Sequence, residues 1–172
     1  MRIAGIVQES IVDGPGLRVT VFTQGCMHGC PGCHNPETHD PVGGMEMDVR
    51  QVVDEIAKNP LTDGLTLSGG DPFGQAADCA LLAQAAHKLD FDVWTYTGWT
   101  FEQLLQKART DGDVAALLRE TDVLVDGPFI LAQKSFSTPW RGSTNQRLID
   151  VKKSLAAGMA VIWESENGGI SC

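Results

Sequence analysis

The sequence has no long, uninterrupted run of apolar residues. Hydrophobic residues make up 42% of its 172 positions, but they are spread along the chain, and no stretch is long enough for a signal peptide or a membrane span. Internal repeats and low-complexity segments are also missing. A chain of this length can build one domain with its own core. We therefore expect a single domain over residues 1–163 and a mobile tail over residues 164–172, in a cytoplasmic protein.

Positive charge is scarce as well. The chain has 13 lysines and arginines against 22 aspartates and glutamates, which gives a formal net charge of -9 at pH 7. Binding to nucleic acid requires a basic face, and anionic membrane surfaces attract basic segments. We therefore expect no nucleic-acid partner and no membrane partner, although a local basic patch stays compatible with this charge.

The cysteines do not form an even set. Of the five cysteines, Cys26, Cys30 and Cys33 are clustered, whereas Cys79 and Cys172 lie far away in the sequence. In a reducing compartment this pattern favours metal or redox chemistry over disulfides. Three unrelated core thiols are a poor explanation, because the glycines, proline and histidines around them make a poor core.

Two kinds of metal site fit the three clustered thiols. A zinc site would combine them with His28 or His34, since short cysteine spacings suit tetrahedral zinc. An iron-sulfur cluster held by three thiolates would leave one iron without a protein ligand. That iron could bind an atom of a substrate or cofactor. Both metals suit thiolate ligands, so the spacing alone leaves the two sites open.

Hydrophobic periodicity predicts strands that alternate with helices. The predicted strands cover residues 17–24, 65–68, 91–97, 122–126, 148–151 and 160–163. The predicted helices begin at the N-cap Asp48, cover residues 75–89, 101–108 and 114–119, and include a capping box at Thr100 and Gln103. Such alternation is typical of parallel βαβ units, and the chain is too short for eight of them. We therefore expect an α/β fold, an open, partial (β/α) barrel of mostly parallel strands.

Polar and glycine residues follow several of the predicted strands. The three cysteines come after the first of these strands, Gly69, Gly70 and Asp71 after the second, and Thr97 and Asp126 after later ones. In parallel α/β folds, ligands bind beyond the carboxyl ends of the strands. The sequence therefore predicts that these residues share one site.

The segment around the cysteines resembles a known enzyme family. The C-x3-C-x2-C spacing, preceded by "VDGPGLRVTVFTQG" and followed by "HNPET", resembles the radical S-adenosylmethionine (SAM) enzymes, and among them the activases of glycyl-radical enzymes. The stretch "LSGGDP" ends the next predicted strand, where that superfamily carries its glycine-glycine-acid motif. Together the two motifs are far more specific than either one alone.

The likeness extends over most of the chain, from about Val7 to Leu155. "YTGWTFEQLL", "DVLVDGPFI" and "WRGSTNQRLIDVKKSL" resemble the small activases of anaerobic ribonucleoside-triphosphate reductase. The resemblance implies a 4Fe-4S cluster on Cys26, Cys30 and Cys33, with SAM on the iron that lacks a protein ligand. It further implies reductive cleavage of SAM, removal of hydrogen from a glycine of anaerobic ribonucleotide reductase, and an electron donor such as flavodoxin.

Two other functions stay open on the sequence. A sister activase, which serves pyruvate formate-lyase or another glycyl-radical enzyme, would use the same cluster, and "CHNPET" resembles those enzymes too. The short chain and "WRGSTNQR" count against that assignment. The alternative of a different class is a zinc-stabilised binding module without enzymatic activity.

The resemblance also implies cofactor contacts outside the cysteines. Gly69 and Gly70 would let the backbone approach SAM closely, and Asp71 would offer its carboxylate to the SAM ammonium group. Gly32 and His34 flank the last cysteine, and we expect them to contact the adenine or the cluster. The wider superfamily often has an aromatic residue where Gly32 stands.

Further candidates belong to the later strands. Thr97 is expected on the methionine or ribose side of SAM, with ordinary strand alternation as the alternative. Asp126 follows apolar residues, where a carboxylate would be costly to bury unless it faced the site. Arg141 and Arg147 could pair with a carboxylate of SAM or of the partner, or could be solvated at the surface. We expect Cys79 to be a small core residue of its helix.

Overall fold

The computed structural model describes residues 1–165, in which helices pack on one face of a mixed β-sheet. Within this range the strands are β1 (Arg2–Ser10), β2 (Arg18–Thr23), β3 (Met45–Glu46), β4 (Gly64–Gly69), β5 (Asp92–Tyr96), β6 (Val123–Asp126) and β7 (Arg147–Asp150). The α-helices in the same range are α1 (Val49–Ile56), α2 (Ala76–His87), α3 (Phe101–Lys107), α4 (Gly112–Glu120) and α5 (Val151–Ala157). None of the described helices is long and apolar enough to span a membrane.

The centre of the sheet is parallel. Its strand order is β3-β1-β2-β4-β5-β6-β7, and β2, β4, β5 and β6 pair with one another in parallel. The strands β1, β3 and β7 pair antiparallel on the two flanks. Apolar residues of the central strands, such as Val19, Leu65 and Val93, are buried in one core with the helices. The predicted α/β fold with mostly parallel strands is therefore confirmed.

Local signals located most of the elements. Asp48 caps α1 and forms a capping box with Gln51, and the predicted capping box of Thr100 and Gln103 begins α3. In both boxes the side chain of the cap residue accepts a hydrogen bond from a free amide of the first turn. The glutamine side chain of that turn accepts a hydrogen bond from the amide of the cap residue. These hydrogen bonds involve neighbouring residues, which is why the sequence predicts them.

Four elements differ from the predictions, and one of them is the two-residue strand β3, which was not predicted. Strand β1 was not predicted, because its apolar residues do not alternate regularly with polar ones. In the structure this strand also shifts register against β2. Helix α5 was also missed. The strand predicted at 160–163 is wrong, since Ile162 forms only an isolated bridge with Ile149. Asp150 caps α5 and Gly158 ends it in a left-handed conformation. After this helix the chain forms a bridge with β7 at Ile162 alone. The predicted tail lies outside the described residues beyond residue 165.

The helix-free face of the sheet is covered only in part. Arg18 is buried near the start of β2, where its Nε donates to Thr66 Oγ1 at 2.7 Å. At one side Trp94 packs edge-to-face against Trp140 and Trp163, with ring centroids 5.3 Å and 5.2 Å away. A cavity remains on this face near the carboxyl ends of β2, β4 and β5.

His87 links helix α2 to the region where β6 begins. Its Nδ1 lies 3.1 Å from Glu120 Oε2, and its Nε2 lies 3.0 Å from Asp122 Oδ2. Partial burial lowers the pKa of His87, but the hydrogen bonds and charges of Asp122 and Glu120 outweigh it, so the pKa is raised. The resulting stabilisation is complete below the unfolded pKa of about 6.5 and is lost as the pH rises through the higher folded pKa.

The substitution His87→Gln should therefore destabilise the protein in a pH-dependent way. We expect its free energy of unfolding to fall below that of the wild type at about pH 6, and the difference to shrink by about pH 9. Urea denaturation followed by circular dichroism under reducing conditions measures both values. Lys88→Gln is the control, because it removes an exposed positive charge next to His87 at the end of α2. A His87→Gln effect of equal size at both pH values would contradict the assignment.

Candidate functional site

The three clustered cysteines open into one cavity. Cys26, Cys30 and Cys33 lie on the segment that follows β2, and their thiols are free and half-buried. The cavity has a volume of about 560 Å³. Of the predicted site residues, its wall also includes His34, Gly69, Gly70 and Thr97. The structure thus brings together most of the residues that the sequence assigned to a common site.

Backbone amides donate hydrogen bonds to two of the thiols, those of Cys26 and Cys33. The Asn35 amide donates to Cys33 Sγ at 3.4 Å. Burial raises the pKa of the Cys26 thiol, while backbone hydrogen bonds from His28 and Gly29 act in the opposite direction. Amide donors of this kind stabilise sulfur in its anionic, metal-bound form.

The donor set fits an iron-sulfur cluster. Within residues 1–165, no three histidine, cysteine, aspartate or glutamate side chains are grouped to hold one metal ion. A tetrahedral zinc site needs its ligands to converge on a single ion, whereas the thiolates of a 4Fe-4S cluster bond to different irons. Three half-buried free thiols around a shared cavity satisfy the second requirement.

His39 adds an unpartnered polar atom to the same region. Its Nε2 is buried and has no hydrogen-bond partner among the described residues. The His39 carbonyl accepts from the Cys26 amide at 3.2 Å, and the residue lines the cavity beside the cysteines. A buried group of this kind calls for a ligand or an ordered water. Sequence reasoning missed His39, because nothing in its local pattern separates it from a surface histidine.

A buried aspartate connects the cysteine segment to the ends of two strands. The side chain of Asp71 is only 3% exposed. It accepts hydrogen bonds from Thr97 Oγ1 at 2.9 Å, from the Gly98 amide at 3.2 Å and from the Phe73 amide at 3.0 Å. His28 Nε2 lies 2.7 Å from the same carboxylate. Asp71 and Thr97 are therefore engaged with protein groups, and their predicted contacts with SAM stay predictions.

The two glycines before Asp71 permit a close approach of protein backbones. Gly69 has a φ of +94°, and a Cβ atom on it would lie 2.6 Å from the Thr23 carbonyl oxygen. A Cβ on Gly70 would collide with the carbonyl of Gly25. The Gly70 amide donates to the Thr23 carbonyl at 2.8 Å, and the Asp71 amide donates to the Gly25 carbonyl at 2.9 Å. The glycine pair thus holds the end of β4 against the start of the cysteine segment, besides lining the cavity.

The loop after β6 covers the other side of the cysteine segment. A Cβ on Gly32, whose φ is +74°, would lie 2.9 Å from Leu131 Cδ1. The rings of His34 and Phe129 have centroids 4.9 Å apart, and a Cβ on Gly142 would lie 2.9 Å from His34 Cε1. Leu131 therefore fills the space in front of Gly32. Phe129 and Leu131 had no signal in the sequence, because their contacts involve residues about a hundred positions earlier.

Asp126 forms an ion pair instead of facing the cavity. The buried Asp126 carboxylate accepts from the Phe101 amide at 2.8 Å and from Arg147 Nε at 3.0 Å. Arg147 also bonds Glu102, and this hydrogen bond lowers the pKa of Glu102 to about 2. Gly127, the next residue, lines the cavity. The cofactor contact predicted for Asp126 stays a prediction, whereas Arg147 pairs with carboxylates of its own chain.

Comparison with known proteins agrees with this chemistry. Residues 12–149 match the family described as "4Fe-4S single cluster domain". Over 145 residues, which are 79% of this chain and 89% of the relative, the sequence is 39% identical to the "Anaerobic ribonucleoside-triphosphate reductase-activating protein" of Vibrio cholerae.

Proteins of the same name from other sources are similar as well. The one from Escherichia coli strain K12 is 38% identical over 149 residues, with 79% of this chain and 90% of the relative covered. The one from Enterobacteria phage T4 is 35% identical over 146 residues, with 80% and 86% covered. The chain therefore belongs to the 4Fe-4S single cluster domain family and, within it, to the family of anaerobic ribonucleoside-triphosphate reductase-activating proteins.

Proposed function

We propose that this protein is a radical SAM activase that forms the glycyl radical of anaerobic ribonucleotide reductase. The observation that carries the proposal is the shared cavity of Cys26, Cys30 and Cys33 at the Gly69 end of β4. Relatives that match most of the chain bear the name of an activating protein for that reductase. The proposed catalytic unit is a single domain over residues 1–163.

In this function each cysteine thiolate would bond one iron of a 4Fe-4S cluster, and SAM would bind the remaining iron. When bound, the cluster and SAM supply one electron and a carbon-centred radical that can remove hydrogen from a glycine. The protein holds the cysteine segment in place through the contact between His28 and Asp71. The amides near Cys26 and Cys33 donate to the sulfur atoms, and such donors help to set the reduction potential.

We further infer that the sheet is the open, partial barrel of radical SAM enzymes. One cavity is lined by side chains from four adjacent strands: Val7 of β1, Phe22 of β2, Ser68 of β4 and Tyr96 of β5. A concave face allows side chains from four adjacent strands to line one cavity, which supports this inference. The helices lie on the opposite face of the sheet, as the helices of a (β/α) barrel do.

The mouth of the cavity suits a protein segment as substrate. Ile11 and Val12 line it and are 74% and 71% exposed. Exposed apolar side chains next to a site are typical of surfaces that bind protein partners. We propose that a glycine-bearing loop of the reductase enters the cavity past these residues.

Mixing the reconstituted protein with SAM, a reductant and anaerobic ribonucleotide reductase should produce a glycyl radical. The measurement is an electron paramagnetic resonance spectrum, in which a glycyl radical gives a doublet. Pyruvate formate-lyase in place of the reductase tests the sister-activase alternative. A doublet with pyruvate formate-lyase alone, or a colourless protein with stoichiometric zinc, would overturn the proposed function.

The substitution Cys30→Ala should abolish both the cluster and SAM cleavage, whereas Cys79→Ala should preserve both. Cys79 is fully buried in α2, and burial raises the pKa of its thiol, so it is a poor metal ligand at neutral pH. Iron and sulfide content, with chromatographic assay of the cleavage products of SAM, measures both properties. Equal loss in the two variants would contradict this division of the cysteines.

Asp71→Asn should destabilise the protein and reduce cluster retention. The amide would place an N–H group against a donor, because both carboxylate oxygens of Asp71 accept from protein groups. Leaving a buried donor unpaired costs about 1–3 kcal/mol. Urea denaturation of the apoprotein and iron content after reconstitution measure the two effects. Asp54→Asn, on the exposed side of α1, is the matched control, and wild-type values for Asp71→Asn would contradict the role of this carboxylate.

A further inference from the structure

A second cavity reaches the cysteine segment from the helix-bearing side. Its volume is about 490 Å³, and it shares Cys26 and His39 with the first cavity. Its wall also contains Met27, which is 75% exposed, together with Trp99 and Lys107. SAM and the substrate glycine, in the proposed function, occupy the first cavity. The second cavity leaves an independent approach to the same cysteines.

The rim of this cavity concentrates positive charge on an acidic protein. Arg2 and Lys107 line it, and Arg109 lies beside Lys107 on the adjoining surface. Within residues 1–165 none of these three side chains forms an ion pair with a carboxylate, and Arg2 donates to backbone carbonyls of Val42 and Gly43. The chain as a whole carries a net charge of -9. We call the surface formed by Arg2, Met27, Trp99, Lys107 and Arg109 the Lys107 surface.

The acidic residues of the same wall are already engaged. Asp71 is buried among its hydrogen-bond donors. Asp111 caps α4 by accepting from the amides of Asp113 and Val114, at 3.0 Å and 3.1 Å. A helix N-terminus partly offsets the charge of a capping carboxylate. The exposed charge that a partner would meet on the Lys107 surface is therefore mainly positive.

Aromatic contacts lead from this surface to the cysteines. Lys107 Nζ lies 4.3 Å from the Trp99 ring centroid, and the Trp99 ring packs edge-to-face on His28 with centroids 4.9 Å apart. His28 stands between Cys26 and Cys30 in the sequence. The Trp99 ring of the Lys107 surface thus packs directly on the cysteine segment through His28, and Met27 of the same surface follows Cys26 in the sequence.

We propose that the Lys107 surface is the docking site of an acidic, electron-carrying flavoprotein. This inference rests on the proposed function, which requires one electron for each SAM cleaved. The donor's anionic flavin hydroquinone would lose one electron and become a neutral semiquinone, and the oxidised cluster would gain that electron. No bond is broken in this step. Complementary charge favours an acidic donor, and the separate location lets the reductase occupy the first cavity at the same time.

Reversing two exposed charges tests the docking site. The double variant Lys107→Glu with Arg109→Glu should be reduced by flavodoxin hydroquinone with a second-order rate constant roughly tenfold lower than the wild type at low ionic strength. Stopped-flow absorbance of the cluster measures the rate, and calorimetric titration with oxidised flavodoxin should show weaker binding. Added salt should slow the wild type and change the variant little. Reduction by dithionite, which needs no docking, should proceed at the wild-type rate.

A matched variant and a milder pair complete the test. Lys88→Glu with Arg119→Glu reverses two exposed charges elsewhere, at the ends of α2 and α4, and should react with flavodoxin like the wild type. If the double reversal fails to fold, Lys107→Ala and Arg109→Ala should each slow the flavodoxin reaction by a smaller factor. Wild-type flavodoxin rates in the Lys107 and Arg109 variants, or equal slowing in the control, would overturn the docking site. A wild-type protein without a dithionite-reducible cluster would instead refute the proposed function itself.

Discussion

The organisation of the site depends on one buried carboxylate. Within residues 1–165 Asp71 forms no ion pair with a lysine or arginine, and groups from three parts of the chain, the His28 ring among them, satisfy its oxygens. A buried charge is tolerated only when such donors compensate for lost hydration. Through these contacts the carboxylate joins the cysteine segment to the ends of β4 and β5. The hydrogen bonds of Asp71 therefore help to fix the position of the cysteine segment, in addition to the packing of the apolar core.

Close backbone contacts then give the cysteine segment its shape. Gly69 and Gly70 let β4 touch the end of β2, and Gly98 leaves room for the His28 ring, since a Cβ there would lie 2.5 Å from it. Leu131 presses on the segment from the opposite side. Gly69, Gly70 and Gly98 admit no larger side chain without displacing the segment that supplies all the proposed cluster ligands. The same segment separates two cavities, which gives the two proposed protein partners distinct approaches to one centre.

The sequence predicted the features that arise from neighbouring residues. The capping box of Thr100 and Gln103, the parallel strands and the gathering of cysteines with Gly69 at strand ends follow from local pattern and from the geometry of βαβ units. Contacts between distant residues were not predictable. Asp71 meets a histidine 43 positions earlier, and Asp126 pairs with an arginine 21 positions later. In each case a residue assigned to the cofactor makes protein contacts that no spacing rule indicates.

The contact between Gly32 and Leu131 limits how parts of related enzymes can be exchanged. The missing side chain at position 32 is matched by a leucine that belongs to a different loop, after β6. A cysteine segment transplanted from an enzyme with an aromatic residue at this position would bring a ring into space that Leu131 already fills. Leu131 would have to move to admit that ring, and a chimera that takes both loops from the same parent avoids the conflict.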